Sequence, residues 1–184
     1  MPLVFQYGSN CNERRVNDKS RLNGDARDLG RALTVEEFEI AFNKRRQEKG
    51  DAAADLIKPR KGKRRIWGVL YEISKSGFEK LKNIEGPSYK PKPIVVNDAE
   101  GRRMTAKTFR VRRDKRRKGL WTGAEYVGHI VNGLRAHGIP EEYVQHVIGV
   151  AIDTNHTSGE HADEQTRLIE SLRELPSTPS GSAR

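Results

Sequence analysis

Short apolar or alternating runs predict most of the strands of this chain. Alternation of apolar and polar residues is typical of half-buried strands. Runs of this kind lie at residues 3–7, 31–43, 52–57, 66–73, 93–97 and 103–112. Within the second run the alternation slips at Glu36 and Glu37, which indicates a bend or bulge. The pattern predicts five or six strands.

Apolar residues at helical spacing predict helices between and after these strands. Residues 76–79 have the spacing of a capping box, and the helix that follows ends at Glu85, before Gly86. Two longer helices begin near Thr122 and at Pro140. Because strands and helices do not alternate strictly, the pattern favours a mixed α/β (α+β) domain over a doubly wound sheet.

The length of the chain suits one compact domain. Its 184 residues are 34% hydrophobic and 33% charged, which is enough for one ordinary core. We assign residues 1–150 to this domain and residues 151–184 to a polar C-terminal extension. In the extension, a polar loop at residues 154–163 precedes a short helix, and the end from Pro176 is too polar to fold and forms a loose tail.

The sequence has no sign of a membrane segment. No run reaches the roughly 18 to 20 apolar residues that cross a bilayer, and the first residues lack the basic and apolar regions of a secretory signal. We expect a cytoplasmic protein with no membrane partner. The single cysteine, Cys11, excludes an intramolecular disulfide framework. We interpret Cys11 as a packing residue, because no base that could activate it accompanies it.

Positive charge is the unusual feature of the composition. The formal net charge is +10, with +13 on the first 150 residues and −3 on the rest. Two basic segments, from Lys58 to Arg65 and from Lys107 to Lys118, could hold nucleic acid or another polyanion. The alternative is a solvated hairpin whose arginines point outward. The sequence lacks helix-turn-helix, zinc-finger and ribonucleoprotein motifs, so binding would depend on phosphate contacts.

Four residues of the extension are metal ligands by type: His156, Glu160, His161 and Asp163. Their spacing matches no standard metal site. We expect neither a metal nor a cofactor, and the sequence does not indicate an oligomeric state.

Two turns carry the candidate chemistry. In Tyr7-Gly8-Ser9-Asn10, a strand-to-helix turn, consecutive backbone N–H groups can bind a carboxylate or an oxyanion. A plain helix N-cap is the alternative. Glu85 faces the negative end of its helix dipole, which raises the pKa of the carboxyl. The alternative for Glu85 is a solvated surface residue.

Taken in chain order, these segments resemble the gamma-glutamylcyclotransferase-like family. The resemblance spans about residues 3–148, and it rests on Tyr7-Gly8-Ser9-Asn10, Ala41-Phe42-Asn43, Trp67-Gly68-Val69-Leu70-Tyr71, Leu81, Glu85-Gly86, Tyr89, Tyr126, Ile130, Gly133 and Gly138-Ile139-Pro140-Glu141-Glu142-Tyr143. It implies a partly closed, barrel-like sheet with flanking helices.

The resemblance also implies an activity. The family releases 5-oxoproline from gamma-glutamyl compounds and needs no cofactor. Its catalytic glutamate falls on Glu85. Its substrate-binding residues fall on Tyr7, Gly8, Ser9 and Asn10 in the loop, and on Tyr89 and Tyr126 in the pocket.

The sequence departs from the family pattern in three places. Cys11 replaces a bulky aliphatic residue, Asn83 replaces a frequent acidic one, and the turn at residues 87–88 is shorter than in many members. None of these changes removes a catalytic group. The short turn changes the spacing between Glu85 and Tyr89, the tyrosine that the resemblance places in the pocket.

The resemblance leaves the substrate and one alternative open. The leaving amine could be an amino acid, an ε-lysyl amine, a polyamine or a natural-product amine, and an anionic leaving portion would suit the positive body of the protein. The alternative is a non-catalytic binding module of the same fold, which holds nucleic acid or an acidic partner on its basic surface.

Overall fold

The computed structural model describes residues 1–59, 64–158 and 162–174. The strands within them are β1 Leu3–Gln6, β2 Arg27–Glu37, β3 Glu39–Arg45, β4 Ala52–Ile57, β5 Arg65–Glu72, β6 Tyr89–Asn97 and β7 Arg103–Val111. The helices are α1 Glu13–Val16, α2 Lys75–Glu85, α3 Ala124–Ala136, α4 Glu141–His156 and α5 Ala162–Ser171, and 3-10 turns cover Ser9–Cys11 and Arg113–Lys115.

Five strands form a closed barrel in the order β1-β5-β2-β6-β7. Neighbouring strands are antiparallel except β1 and β7, which close the barrel through a parallel pairing at Val4 and Lys107. The mixed α+β class with flanking helices is confirmed. The barrel is closed, whereas the resemblance implied a partly closed sheet.

The predicted strand at residues 31–43 is two strands that belong to different sheets. β2 stays in the barrel, and β3 pairs with β4 in a separate two-stranded sheet. The break falls at Phe38, whose backbone N–H bonds to the carbonyl of Arg64 at 2.9 Å. The slip at Glu36 and Glu37 therefore marks the exit from the barrel, and this split explains seven strands where five or six were predicted.

The start of α2 differs from the predicted capping box. Ser74, rather than Ser76, is the N-cap, and its Oγ accepts a hydrogen bond from the backbone N–H of Gly77 at 2.9 Å. The Asp25 carboxylate accepts hydrogen bonds from both Ser74 N–H and Oγ. A Cβ at Gly77 would lie 1.6 Å from that carboxylate. A contact from a distant segment thus sets where the helix begins.

Two helices connect the barrel, the two-stranded sheet and the C-terminal segment: α3 contacts β5 and the first 3-10 turn, and α4 contacts β3. α3 packs on α4, and both contact α5, whose Ile169 is fully buried. α4 continues to His156, so the loop predicted at residues 154–163 begins later than expected. Glu160, His161 and the predicted tail lie outside the described residues. Within the described residues, no helix is long and apolar enough to span a membrane.

Candidate active site

The loop after β1 turns directly into a short 3-10 helix. Gly8 is the N-cap of this turn, and its carbonyl accepts a hydrogen bond from the Cys11 N–H at 2.9 Å. Ser9 and Asn10 are buried. Because the first amides of a helical turn have no partner inside the helix, the N–H groups at the start of this turn can bind an acceptor.

Close packing from two other elements holds this loop. A Cβ at Gly133 of α3 would lie 2.3 Å from the carbonyl carbon of Cys11. A Cβ at Gly68 of β5 would lie 2.3 Å from the carbonyl oxygen of Gln6, the last residue of β1. Glycine at both positions is therefore required for the backbones to approach this closely.

Cys11 packs below the loop. Its side chain is fully buried, and its Sγ–H donates to the Gln6 carbonyl at 3.0 Å. Burial raises the pKa of the thiol far above its usual value, so it stays protonated. The interpretation of Cys11 as a packing residue is confirmed.

Glu85 lies against this loop. It is the last residue of α2, and Gly86 ends the helix with a φ of +73°. The Asn10 side-chain amide donates a hydrogen bond to Glu85 Oε1 at 2.9 Å. Glu85 is therefore not a solvated surface residue, and its carboxylate faces the amide loop.

Burial raises the pKa of the Glu85 carboxyl. The positive charge of Arg21, the hydrogen bond from Asn10 and the charge of Lys44 oppose this effect without cancelling it. The direction agrees with the sequence expectation, but burial in the folded protein, not the helix dipole, is the main cause. A carboxyl with a raised pKa is better placed to gain and lose a proton near neutral pH.

Three tyrosines complete the walls of a small cavity. The Tyr126 hydroxyl accepts a hydrogen bond from the Ala54 N–H at 3.0 Å, and the Tyr89 hydroxyl donates to the Ala54 carbonyl at 2.8 Å. The Tyr7 hydroxyl donates to the carbonyl of Phe109. Burial raises the pKa of all three tyrosines, so they are protonated and available as hydrogen-bonding groups.

The cavity brings together every site residue taken from the sequence. Its volume is about 30 Å³. Its lining comprises Gln6, Tyr7, Gly8, Ser9, Asn10, Ala54, Glu85, Tyr89, Phe109 and Tyr126. The short turn at residues 87–88 does not keep Tyr89 out of the cavity.

Two charged residues at the site were missed by the sequence reasoning. Arg21 donates from Nη2 to Asn10 Oδ1 at 2.8 Å, and so orients the amide that binds Glu85. The Lys44 ammonium lies over the Tyr89 ring, 5.6 Å from its centre. Arg21 follows α1 in a polar stretch without periodicity, so no local signal marks it. Lys44 directly follows Ala41-Phe42-Asn43, which is the one signal available for it.

Some arginines of the second basic segment, Lys107 to Lys118, bind groups of the fold, and others line a cleft. Arg110 donates from Nε to the Leu56 carbonyl, and Arg116 pairs with the fully buried carboxylate of Asp55 at 2.8 Å. These two arginines fasten β4, so they are not outward-pointing solvated residues. Together with four more basic residues they line a cleft; these are Lys90, Lys92, Arg112 and Arg113. Residues 60–63 of the first basic segment lie outside the described residues.

The fold and the site define a class of protein: a closed-barrel α+β domain in which a half-buried glutamate at a helix end faces a glycine-containing amide loop. A protein-family model described as the AIG2-like family matches residues 65–147. No curated protein sequence matches the chain.

Solved structures share this fold. One described as gamma-glutamyl cyclotransferase superposes with a TM-score of 0.69 at 21% identity, over 92% of this chain and 98% of its own. An uncharacterized protein from Homo sapiens, loc79017, superposes with a TM-score of 0.67 at 22% identity, over 91% and 97%. YkqA from Bacillus subtilis superposes with a TM-score of 0.65 at 21% identity, over 82% and 54%. The family match and the shared fold confirm the resemblance to the gamma-glutamylcyclotransferase-like family.

Proposed function

We propose that this protein is a gamma-glutamyl cyclotransferase, which releases 5-oxoproline and a free amine from a gamma-glutamyl compound. The observation that supports this most directly is the hydrogen bond from Asn10 to Glu85, which holds a half-buried carboxylate beside the amide loop. A solved structure with the same fold is described as gamma-glutamyl cyclotransferase, and this supports the same reaction.

The reaction needs only correct positioning and proton transfer. The α-amino nitrogen of the substrate attacks its own γ-carbonyl carbon, a five-membered lactam closes, and the bond between that carbon and the leaving nitrogen breaks. Because nucleophile and electrophile belong to one molecule, the bound conformer supplies an effective molarity that reaches about 10⁵ M or more in favourable cases. No cofactor takes part in this proposal.

Glu85 serves as the proton carrier. At neutral pH the α-amino group is mostly an ammonium, which cannot attack. The Glu85 carboxylate takes one proton from the ammonium, so that the amine can attack, and gives it to the departing nitrogen. The second proton, which the ring nitrogen loses as the lactam forms, passes through the same carboxylate to the released amine, so one group acts as base and as acid. General acid–base catalysis of this kind is worth about 10² to 10⁴ in rate.

The remaining wall residues bind and orient the substrate. The amides at the start of the 3-10 turn bind the α-carboxylate or the oxyanion that forms on the γ-carbonyl. The protonated hydroxyls of Tyr7, Tyr89 and Tyr126 line the same cavity. Their hydrogen bonds to backbone groups keep the rings in fixed positions, which reduces the reorganisation required during the reaction.

Replacement of the catalytic carboxylate tests this function. Wild-type protein and Glu85→Gln are incubated with a panel of gamma-glutamyl amino acids, peptides and amines, and 5-oxoproline is measured by mass spectrometry. We expect Glu85→Gln to fold and to lose about 10² or more in rate. Glu79→Gln is the matched control, because Glu79 lies on the same helix and pairs with Lys82 at the surface.

The result decides whether the cyclotransferase proposal holds. Release of 5-oxoproline by wild type and Glu79→Gln, but not by Glu85→Gln, supports the proposal. Equal rates in wild type and Glu85→Gln exclude Glu85 from the mechanism. If no compound of the panel yields 5-oxoproline, the cyclotransferase proposal fails.

The second candidate is a binding module that holds nucleic acid or an acidic partner. The basic cleft favours it, because six basic side chains line the cleft against a single carboxylate, that of Asp114. The six are Lys90, Lys92, Arg110, Arg112, Arg113 and Arg116. This candidate does not use Glu85 or the amide loop, so the two functions are tested separately.

A further inference from the structure

A second cavity lies beside the proposed active site, and three of its eight lining residues are arginines. Its volume is about 580 Å³. The arginines are Arg14, Arg15 and Arg21, and the lining also contains His129, whose pKa is lowered by burial and by the charge of Arg15. Asp18 is the one carboxylate in its lining, and the Asp18 carboxylate is bound by the N–H and hydroxyl of Ser20. The cavity is therefore electropositive.

Two hydrogen bonds join this cavity to the Glu85 carboxylate. Arg21 donates to Asn10 at 2.8 Å, and Asn10 donates to Glu85 at 2.9 Å. The positive charges of Arg21 and Arg15 both act on Glu85. When the γ-carbonyl carbon of a substrate lies beside Glu85, the leaving amine bonded to that carbon would therefore need to extend only past Asn10 to reach Arg15 and Arg21.

The arginines of this cavity repel one another. Arg15 and Arg21 both line it, and the charge of Arg15 adds to burial in lowering the pKa of Arg21. An anion in this cavity would offset that repulsion.

We propose that this cavity binds an anionic group carried by the leaving amine of the gamma-glutamyl substrate, either a carboxylate or a phosphate. This inference rests on the proposed function and narrows its substrate class. Gamma-glutamyl amino acids, peptides and phosphorylated amines are substrates, and gamma-glutamyl polyamines are poor ones, because the same field that attracts an anion repels a polycation.

Matched substrate pairs test the subsite on the full chain. Gamma-glutamylalanine is compared with its C-terminal amide, and gamma-glutamyl ethanolamine phosphate with gamma-glutamyl ethanolamine. For wild type we expect kcat/KM for 5-oxoproline release to be about tenfold or more higher with the charged member, as charge-assisted hydrogen bonds provide. The pair with the larger ratio identifies which anion the subsite prefers.

Three variants locate the effect. Arg15→Gln and Arg14→Gln should each lower the ratio within a pair by severalfold. In Arg14→Gln the rate with the neutral member should change little, because Arg14 is not among the charges that act on Glu85. Arg14 is exposed, so its variant keeps the test valid if Arg15→Gln does not fold. Lys19→Gln removes a positive charge from the same segment without touching the cavity lining, and should keep the wild-type ratio.

The failure of the subsite differs from that of the proposed function. Equal kcat/KM for charged and neutral members overturns the subsite and leaves the cyclotransferase intact. A wild-type ratio that survives in both arginine variants also overturns it. If these four compounds yield no 5-oxoproline but an uncharged or cationic amine of the wider panel does, the subsite is overturned and the proposed function stands; if nothing in the wider panel yields it, both are overturned.

Discussion

At the residue scale, Asn10 connects the two halves of the proposed site. Its amide donates to Glu85 through Nδ2 and accepts from Arg21 through Oδ1. This arrangement fixes the orientation of the amide, since the guanidinium can only donate and the carboxylate accepts. A single side chain thus places a carboxylate beside the loop and keeps the arginine from pairing with it directly.

The pH dependence of activity should respond to Lys44. Glu85 works as a base only when deprotonated, so kcat/KM falls as the pH falls through its raised pKa. Lys44 lowers the pKa of Glu85. In Lys44→Gln that pKa rises, and the acid limb of the profile moves to higher pH. The measurement is kcat/KM for 5-oxoproline release across pH.

A surface lysine provides the control for this shift. Lys49 pairs with Glu125 in an exposed ion pair, and exposed pairs have small energetic effects. Lys49→Gln should keep the wild-type profile. An acid limb that does not move in Lys44→Gln, or that moves equally in both variants, would contradict the role of Glu85 as the titrating base.

At the element scale, packing between distant elements positions the loop. α3 presses on the 3-10 turn through Gly133, and the β3–β4 hairpin reaches the cavity through Ala54, whose N–H and carbonyl bind Tyr126 and Tyr89. Each contact joins elements that are far apart in the chain. The site therefore depends on how helices and hairpin dock, rather than on the loop alone.

Two glycines of α3 should respond oppositely to alanine. Gly133→Ala places a methyl group against the backbone of Cys11, which cannot yield without moving the loop, so we expect a loss of about 1–3 kcal/mol in the free energy of unfolding. For Gly128→Ala the nearest atom is 4.0 Å away, and higher helix propensity should stabilise by up to about 1 kcal/mol.

Urea unfolding of both variants checks this prediction. Gly133→Ala should also reduce 5-oxoproline release, because the displaced backbone carries the amide loop. Equal stability of the two variants would show that α3 does not bear on the loop as the structure indicates.

At the scale of the whole molecule, basic side chains lie across the surface, and some of them bind carboxylates or carbonyl groups of the fold. Arg116 and Arg110 fasten β4, and Arg46 binds the buried Asp51. Because each of these two ion pairs is neutral, the net +13 of the first 150 residues is carried by other basic side chains. Part of this charge lies at two cavities, one beside Glu85 and one at the cleft lined by Lys92 and Arg113.

Polyanion binding at that cleft should be driven by phosphate contacts. If the second candidate function holds, a filter-binding assay with RNA or DNA detects binding at about 50 mM salt that weakens strongly at about 200 mM. The double variant Lys92→Gln/Arg113→Gln should weaken it further, and Lys80→Gln/Arg167→Gln, which removes two exposed charges elsewhere, should not. No binding at the lower salt excludes nucleic-acid binding by this protein.

Local patterns predicted the elements well and their junctions less well. The predicted strand at residues 52–57 matches β4, and the predicted end of α2 at Glu85 is confirmed. The start of α2 and the break at Phe38 were not predicted, because Asp25 and the Arg64 carbonyl act on them from elsewhere in the fold. Alternation along a strand does not indicate which sheet the strand joins.

The sequence by itself determined which elements form and, through the ordered motifs, which loop and which glutamate carry the resemblance. These depend on local periodicity, turn residues and residue type, which the chain displays directly. Only the tertiary structure decided that the barrel closes, that Glu85 packs half-buried against Asn10, and that Arg21 and Lys44 act on it. Burial and charge proximity arise between segments far apart in the chain, so they exist only once the elements have packed.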